Sequence, residues 1–206
     1  MSEVRAVQKT EMPEINAQAA IVVTQHEGRI LLEKNARMRL SPAFLTKIMA
    51  SIIALEKCNP SDKVTISDSV VSQIAGWKSS AAIGLTAGEQ ISVLDLIYSM
   101  MLVSANDSLF AIAEFICGGI DKLAVMMEEK AKEIGAVDTA VTTTDGKFTA
   151  DQFSNAYDLA IICRYCMTNR LFRAISQTDK YTIPATNKSE PRELQNTNLL
   201  VNSRNR

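Results

Sequence analysis

Histidine is nearly absent: His26 is the single one among 206 residues. It sits in His26-Glu27-Gly28 between two short apolar runs, where a solvated turn residue is expected rather than a base or metal ligand. Serine–histidine–aspartate chemistry is thereby excluded unless His26 folds into a site, so a nucleophile here needs lysine as its base. An excess of one charge is also lacking. Twenty-two basic and 23 acidic side chains give a net charge of -1, which provides no general attraction to nucleic acid or to anionic membrane. No apolar run approaches the roughly 20 residues that a membrane span requires. The opening MSEVRAVQKTEMPEIN has no apolar signal core, as in a cytoplasmic chain or in a mature or recombinant form freed of an export signal. Cysteines number four. Cys163 and Cys166 form a CxxC without the second pair that a zinc site needs. They lie in a helix-period stretch and are expected to be buried helix residues; Cys58 and Cys117 fall near helix ends with no evident partner.

What is present reads as an ordinary globular chain, 47% hydrophobic and 22% charged, long enough for a real core in one domain or a small pair. Residues 1–14 are polar and read as a flexible lead-in. The runs at 19–25 and 29–33 read as a hairpin. The stretch 41–57, SPAFLTKIMASIIALEK, reads as one helix, with Ser41 as cap, Pro42 at the first helical position and a broad apolar surface. An extended segment at 64–66 and a short helix at 67–74 follow. Residues 76–88 are loop-like and hold the single tryptophan, Trp77, which beside Lys78 is either a packing anchor or part of a ligand rim. Ser92 to Asp95 looks like a capping box for a helix through Met101. Further helices are expected from Ser108 to about Cys117, over 121–134 closed by Gly135, over 155–167 and over 169–174. A Thr-rich loop or strand with a turn at Asp145-Gly146 precedes the third of these, and strands are expected at 181–184 and 199–201. Hairpin, many helices, then strands argues for an α+β arrangement in which a helical block, about 60–170, interrupts a sheet.

Lys47 stands out because it lies one turn into a helix that is otherwise mainly apolar. An ammonium is costly to desolvate without a partner, so the side chain either snorkels to the surface or has a function. The second candidate is Ser104-Ala105-Asn106, in a Leu-x-x-Ser-x-Asn-Asp setting after an amphipathic helix. By itself it reads as a helix-linking turn.

The two together, with Glu33-Lys34-Asn35 before the lysine helix, resemble the serine D-alanyl-D-alanine carboxypeptidases, the low-molecular-weight penicillin-binding proteins. Gly88-Glu89, Asp107, Asp145-Gly146, Ala156-Tyr157-Asp158-Leu159 and Asn196-Thr197-Asn198 fall in the same order, so the likeness runs from roughly Glu14 to Leu200. It implies the penicillin-binding, serine β-lactamase-like fold, with a helical subdomain inserted in an α/β sheet subdomain over residues 15–206. It further implies an extracytoplasmic place at the cell wall, peptidoglycan stem peptides and β-lactams as partners, no nucleic acid, and neither metal nor organic cofactor. By resemblance Lys47 is the base, while Ser104 and Asn106 assist proton transfer and bind the substrate peptide.

Two departures bear on activity. The family's active-site helix opens with Ser-x-x-Lys, whose serine and lysine share a face; here the position three before Lys47 is Phe44. Thr46 and Ser41 face elsewhere, and Ser51, one turn deeper, is the best substitute hydroxyl. Phe44 is also expected to fill the space an acyl carbonyl needs. Secondly, the family's Lys-Thr-Gly strand follows the Asn-Thr-Asn segment, and this sequence ends at Arg206 without it. C-terminal strands of the sheet are thus expected to be missing and the first hairpin to expose its edges, so that the chain is marginally stable or completed by another chain or a longer product. Three functions follow: a family member with impaired chemistry that still binds D-Ala-D-Ala stem peptides, an active carboxypeptidase in a full-length Ser-x-x-Lys form, or a non-catalytic interaction module. A β-lactamase is the further relative, but no Glu-containing deacylation motif supports it.

Overall fold

A computed structural model describes residues 14–42, 46–75, 81–142 and 151–201. Phe44, Trp77, Lys78 and the Asp145-Gly146 turn lie outside the described residues, as does nearly all of the N-terminal lead-in. The architecture is α+β: seven helices and three two-stranded antiparallel sheets among the described residues.

The first hairpin pairs β1 (Ala20–Val23) with β2 (Ile30–Lys34), close to the expected runs. Gly28 takes a left-handed φ of 69° in the turn and leaves room for the Arg164 guanidinium, which a Cβ at this position would strike. Arg164 donates to the carbonyls of Gln25 and His26 at 3.1 and 2.9 Å, clamping the hairpin tip onto the rest of the fold.

The lysine helix is α1 (Thr46–Lys57). Ser41 and Pro42 lie outside the helix rather than capping and opening it. The reason is tertiary: Leu40 exchanges two 2.9 Å backbone hydrogen bonds with Ser154, which holds the chain extended there. The short strand β3 (Lys63–Thr65) pairs with β4 (Gln90–Ser92), and α2 (Asp68–Ala75) lies between them.

The core is helical. Ile52 and Ile53 of α1 pack with Leu96, Ile97 and Met100 of α3 (Val93–Val103), Leu109 and Ile112 of α4 (Asn106–Cys117), and Leu123 and Met127 of α5 (Ile120–Glu133). Ser92 caps α3 by accepting from the Asp95 N–H. The box differs from the expected form, because the Asp95 carboxylate is turned to the Ser92 hydroxyl and to Tyr181, whose phenol donates to it at 2.7 Å. Burial and this bond together push the Tyr181 phenol up. Gly118, at a left-handed φ of 84°, stops α4.

Asn155 and Asn169 cap α6 (Ala156–Cys166) and α7 (Arg170–Ser176) through their side-chain oxygens. Of the CxxC pair on α6, Cys166 is buried as expected, but Cys163 is exposed, which corrects the expectation that both are buried. Burial is the main reason the Cys166 thiol is pushed up to about 12.

The last sheet corrects the sequence reading. β5 (Lys180–Ile183) pairs with β6 (Arg192–Gln195), and residues 199–201 form a turn, not a strand. The side chains of Asn196 and Asn198 accept from the backbone N–H groups of Asn198 and Leu200, so this segment's donors are used locally.

Candidate active site

Lys47 and Ser104 are 57 residues apart and meet directly. Lys47 is 3% exposed, and its amine donates to the Ser104 carbonyl at 2.6 Å and lies 2.9 Å from Ser104 Oγ. Snorkelling is thus replaced by burial with partners, which offsets the cost of taking the amine out of water. Ser104 occupies the sharp junction between α3 and α4 in the left-handed region, φ 59° and ψ 34°. A serine held there stores about 1 kcal/mol or more of backbone strain, maintained only where the surroundings over-determine it.

Those surroundings are explicit. The N–H groups of Ser104 and Ala105 both reach the Ser99 carbonyl, closing the end of α3. Asn106, two residues on, opens α4 with its N–H on the Ala81 carbonyl at 2.8 Å. Asn106 is 1% exposed, and its side-chain oxygen has no hydrogen-bond partner among the described residues. A buried acceptor left open is costly.

Asp107 is the support that the sequence reading placed in the pattern without a role. Its buried carboxylate accepts from the backbone N–H groups of Ile83, Gly84 and Leu85 at 3.0 to 3.1 Å through Oδ2, and from Ser108 at 2.9 Å through Oδ1. One side chain thus fastens the segment before β4 to the start of α4, right beside Ser104 and Asn106. Asp107→Asn replaces one acceptor oxygen with an NH2 group facing donors. We expect a stability loss of about 2 kcal/mol, read as a lower urea midpoint, with faster hydrogen exchange at the amides of 83–85. Unchanged exchange there would remove Asp107 from this role.

Thr197 docks the far side, its N–H and hydroxyl both on the Leu102 carbonyl at 3.0 and 3.1 Å. Asn-Thr-Asn therefore lies against the last turn of α3, two residues before Ser104. The remaining candidates fall elsewhere. Ser51 is fully buried, its hydroxyl without a partner among the described residues, so it is shielded from any substrate. His26 lines a cavity of about 470 Å³ at the hairpin tip with Arg164, Arg173 and Ile161, and none of Lys47, Ser104 or Asn106 borders it. No cluster of metal-ligating side chains occurs among the described residues, and no helix of theirs is long and apolar enough to cross a membrane.

The sequence profile of the family described as D-alanyl-D-alanine carboxypeptidase matches residues 6–206. The D-alanyl-D-alanine carboxypeptidase DacF of Bacillus subtilis is 33% identical over 149 residues, covering 72% of this chain and 38% of its own. DacC of Escherichia coli is 32% identical over 164 residues, covering 76% and 41%. The chain thus spans about two fifths of the length of these curated relatives. The crystal structure of penicillin binding protein 6B from Escherichia coli superposes with a TM-score of 0.82 at 28% identity, covering 93% of this chain and 60% of that one.

Proposed function

Because the chain belongs to the D-alanyl-D-alanine carboxypeptidase family, we propose that it keeps the family's cleft as a binding site for D-Ala-D-Ala stem peptides and β-lactams while its acyl transfer is impaired. The observation that carries this reading is the buried amine of Lys47 held 2.9 Å from Ser104 Oγ, beside an Asn106 oxygen with no partner among the described residues. Base, relay hydroxyl and peptide acceptor are kept. Phe44 stands where the nucleophile belongs, and an acyl-enzyme cannot form at a side chain with no nucleophilic atom. The setting that suits such a binder is peptidoglycan, outside the cytoplasm. The β1–β2 ladder exposes Val22, Ile30 and Leu31, an apolar surface suited to contact with a partner chain.

The test is binding of an N-acetylated stem peptide ending in D-Ala-D-Ala, followed by ligand-observed NMR. Weak saturable binding is expected, on the order of millimolar Kd, equivalent to about 4 kcal/mol, and Asn106→Leu weakens it at least about fivefold. Equal affinity for the L-Ala-L-Ala peptide, or no binding by the folded chain, would discard the reading in favour of an interaction module with a vestigial cleft.

A further inference from the structure

The Lys47–Ser104 pair is itself a hydroxyl with a base in hydrogen-bond contact, and that arrangement suffices for nucleophilic chemistry without a residue at position 44. We infer that Ser104 is the acyl acceptor of this chain, activated by Lys47 and opened slowly to β-lactams and comparably strained amides. The inference rests on the proposed reading that the cleft admits such D-Ala-D-Ala mimics.

Three observations single out Ser104 among the hydroxyls of the described residues. It is half-buried rather than sealed, whereas Ser51, Ser99 and Ser108 are each 0% exposed. Its own carbonyl binds the Lys47 amine at 2.6 Å, so the amine is held to one side of the residue, within 2.9 Å of the hydroxyl oxygen. Its left-handed backbone puts the side chain at a tight helix-to-helix turn, and a fixed, strained turn limits the orientations the hydroxyl can explore.

The step balances without a co-reactant. Lys47, in its neutral form, takes the proton of Ser104 Oγ while Oγ bonds to the lactam carbonyl carbon. The carbon–nitrogen bond of the lactam then breaks, and the departing nitrogen receives the proton back from Lys47. A serine ester of the opened drug remains, and nothing is oxidised or reduced.

The experiment incubates the full chain with millimolar benzylpenicillin for several hours, then measures intact mass and maps the modified peptide. Reversible binding of the same drug is followed in parallel by ligand-observed NMR. The expected result is a gain of one drug mass, mapped to Ser104 and absent from urea-unfolded protein. Ser104→Ala abolishes it, Ser51→Ala leaves it, and Lys47→Met slows it at least about 100-fold. The mapping on the unmodified chain decides the matter even if a variant fails to fold. An adduct on another residue, or equal labelling of the unfolded chain, overturns the inference. Reversible binding with no adduct overturns it too but leaves the cleft reading standing, whereas neither binding nor adduct removes both.

Discussion

Phe44→Ser should raise the rate of penicillin acylation by at least about 10³-fold over the unmodified chain, with the ester on the introduced hydroxyl. Removing one member of a nucleophile–base unit typically costs most of its rate, so restoring that member to an otherwise intact unit recovers it. On the proposed reading much of the unit is in place: the Lys47 amine is buried and bonded to Ser104, and Asp107 and Thr197 brace the turn that carries Ser104 and Asn106. Positions 44 and 47 are three apart, a spacing that shares a face in a helical turn and lets a short hydroxyl reach the lysine amine. The measurement is the labelling rate with a fluorescent penicillin, with Phe44→Ala as the control for simply vacating the phenylalanine's volume. If the serine variant folds, binds the drug and labels no faster than the alanine variant, the retained residues do not form a working base and relay. The proposed impairment would then lie deeper than one substitution.

The distance between what the sequence foretold and what the structure holds is set by range along the chain. Local chemistry was legible. Ser92, Asn155 and Asn169 cap helices where capping residues precede apolar periods, and Gly118 and Gly135 end them with positive φ. The failures are where tertiary contacts override local preference. Leu199, Leu200 and Val201 look like a strand because they are apolar, yet two asparagine side chains take neighbouring backbone donors and turn the chain. The true strand partner is the polar Arg192–Gln195, which has only Leu194 to bury in the core. Ser41 and Pro42 had every local sign of a helix start, and the bridge from Leu40 to Ser154 displaced it. At the site, the anomaly of Lys47 could be seen from its apolar neighbours, but the identity of its partner came from family order, because no spacing rule links residues 57 apart. Asp107 and Glu89 were noticed as parts of a pattern. Their roles were invisible, since each depends on backbone donors or a guanidinium brought in by the fold.

Arg192→Ala should cost about 3–5 kcal/mol, the second large effect, because it strands the charge of Glu89 in the interior. Glu89 is 0% exposed. Arg192 grips it with its two terminal guanidinium nitrogens at 2.7 and 3.0 Å, and the Thr186 hydroxyl and Thr86 N–H complete its shell at 3.0 and 3.2 Å. Together with Asn187, which bonds both Gly88 and Gln90, this pair fastens the β5–β6 hairpin to the turn that enters β4. Burial by itself would raise the Glu89 carboxyl, but the bonds from Arg192, Thr86 and Thr186 outweigh it and hold the group below its usual range. The folded state therefore binds this proton less readily than the unfolded chain, whose glutamate titrates near about 4.3. The stabilisation is complete above that pH and disappears as pH falls through the lower folded value. Urea midpoints at constant m give the comparison. Arg192→Ala should lose most, and replacing both partners, Glu89→Leu with Arg192→Met, should recover much of the deficit, since no lone charge then stays buried. Below about pH 4 the gap between the unmodified chain and the double variant should shift toward the double variant as Glu89 protonates. A loss under about 1 kcal/mol for Arg192→Ala at neutral pH would mean that the carboxylate escapes to water, and that the hairpin is held to the turn by Asn187 and Thr186 instead.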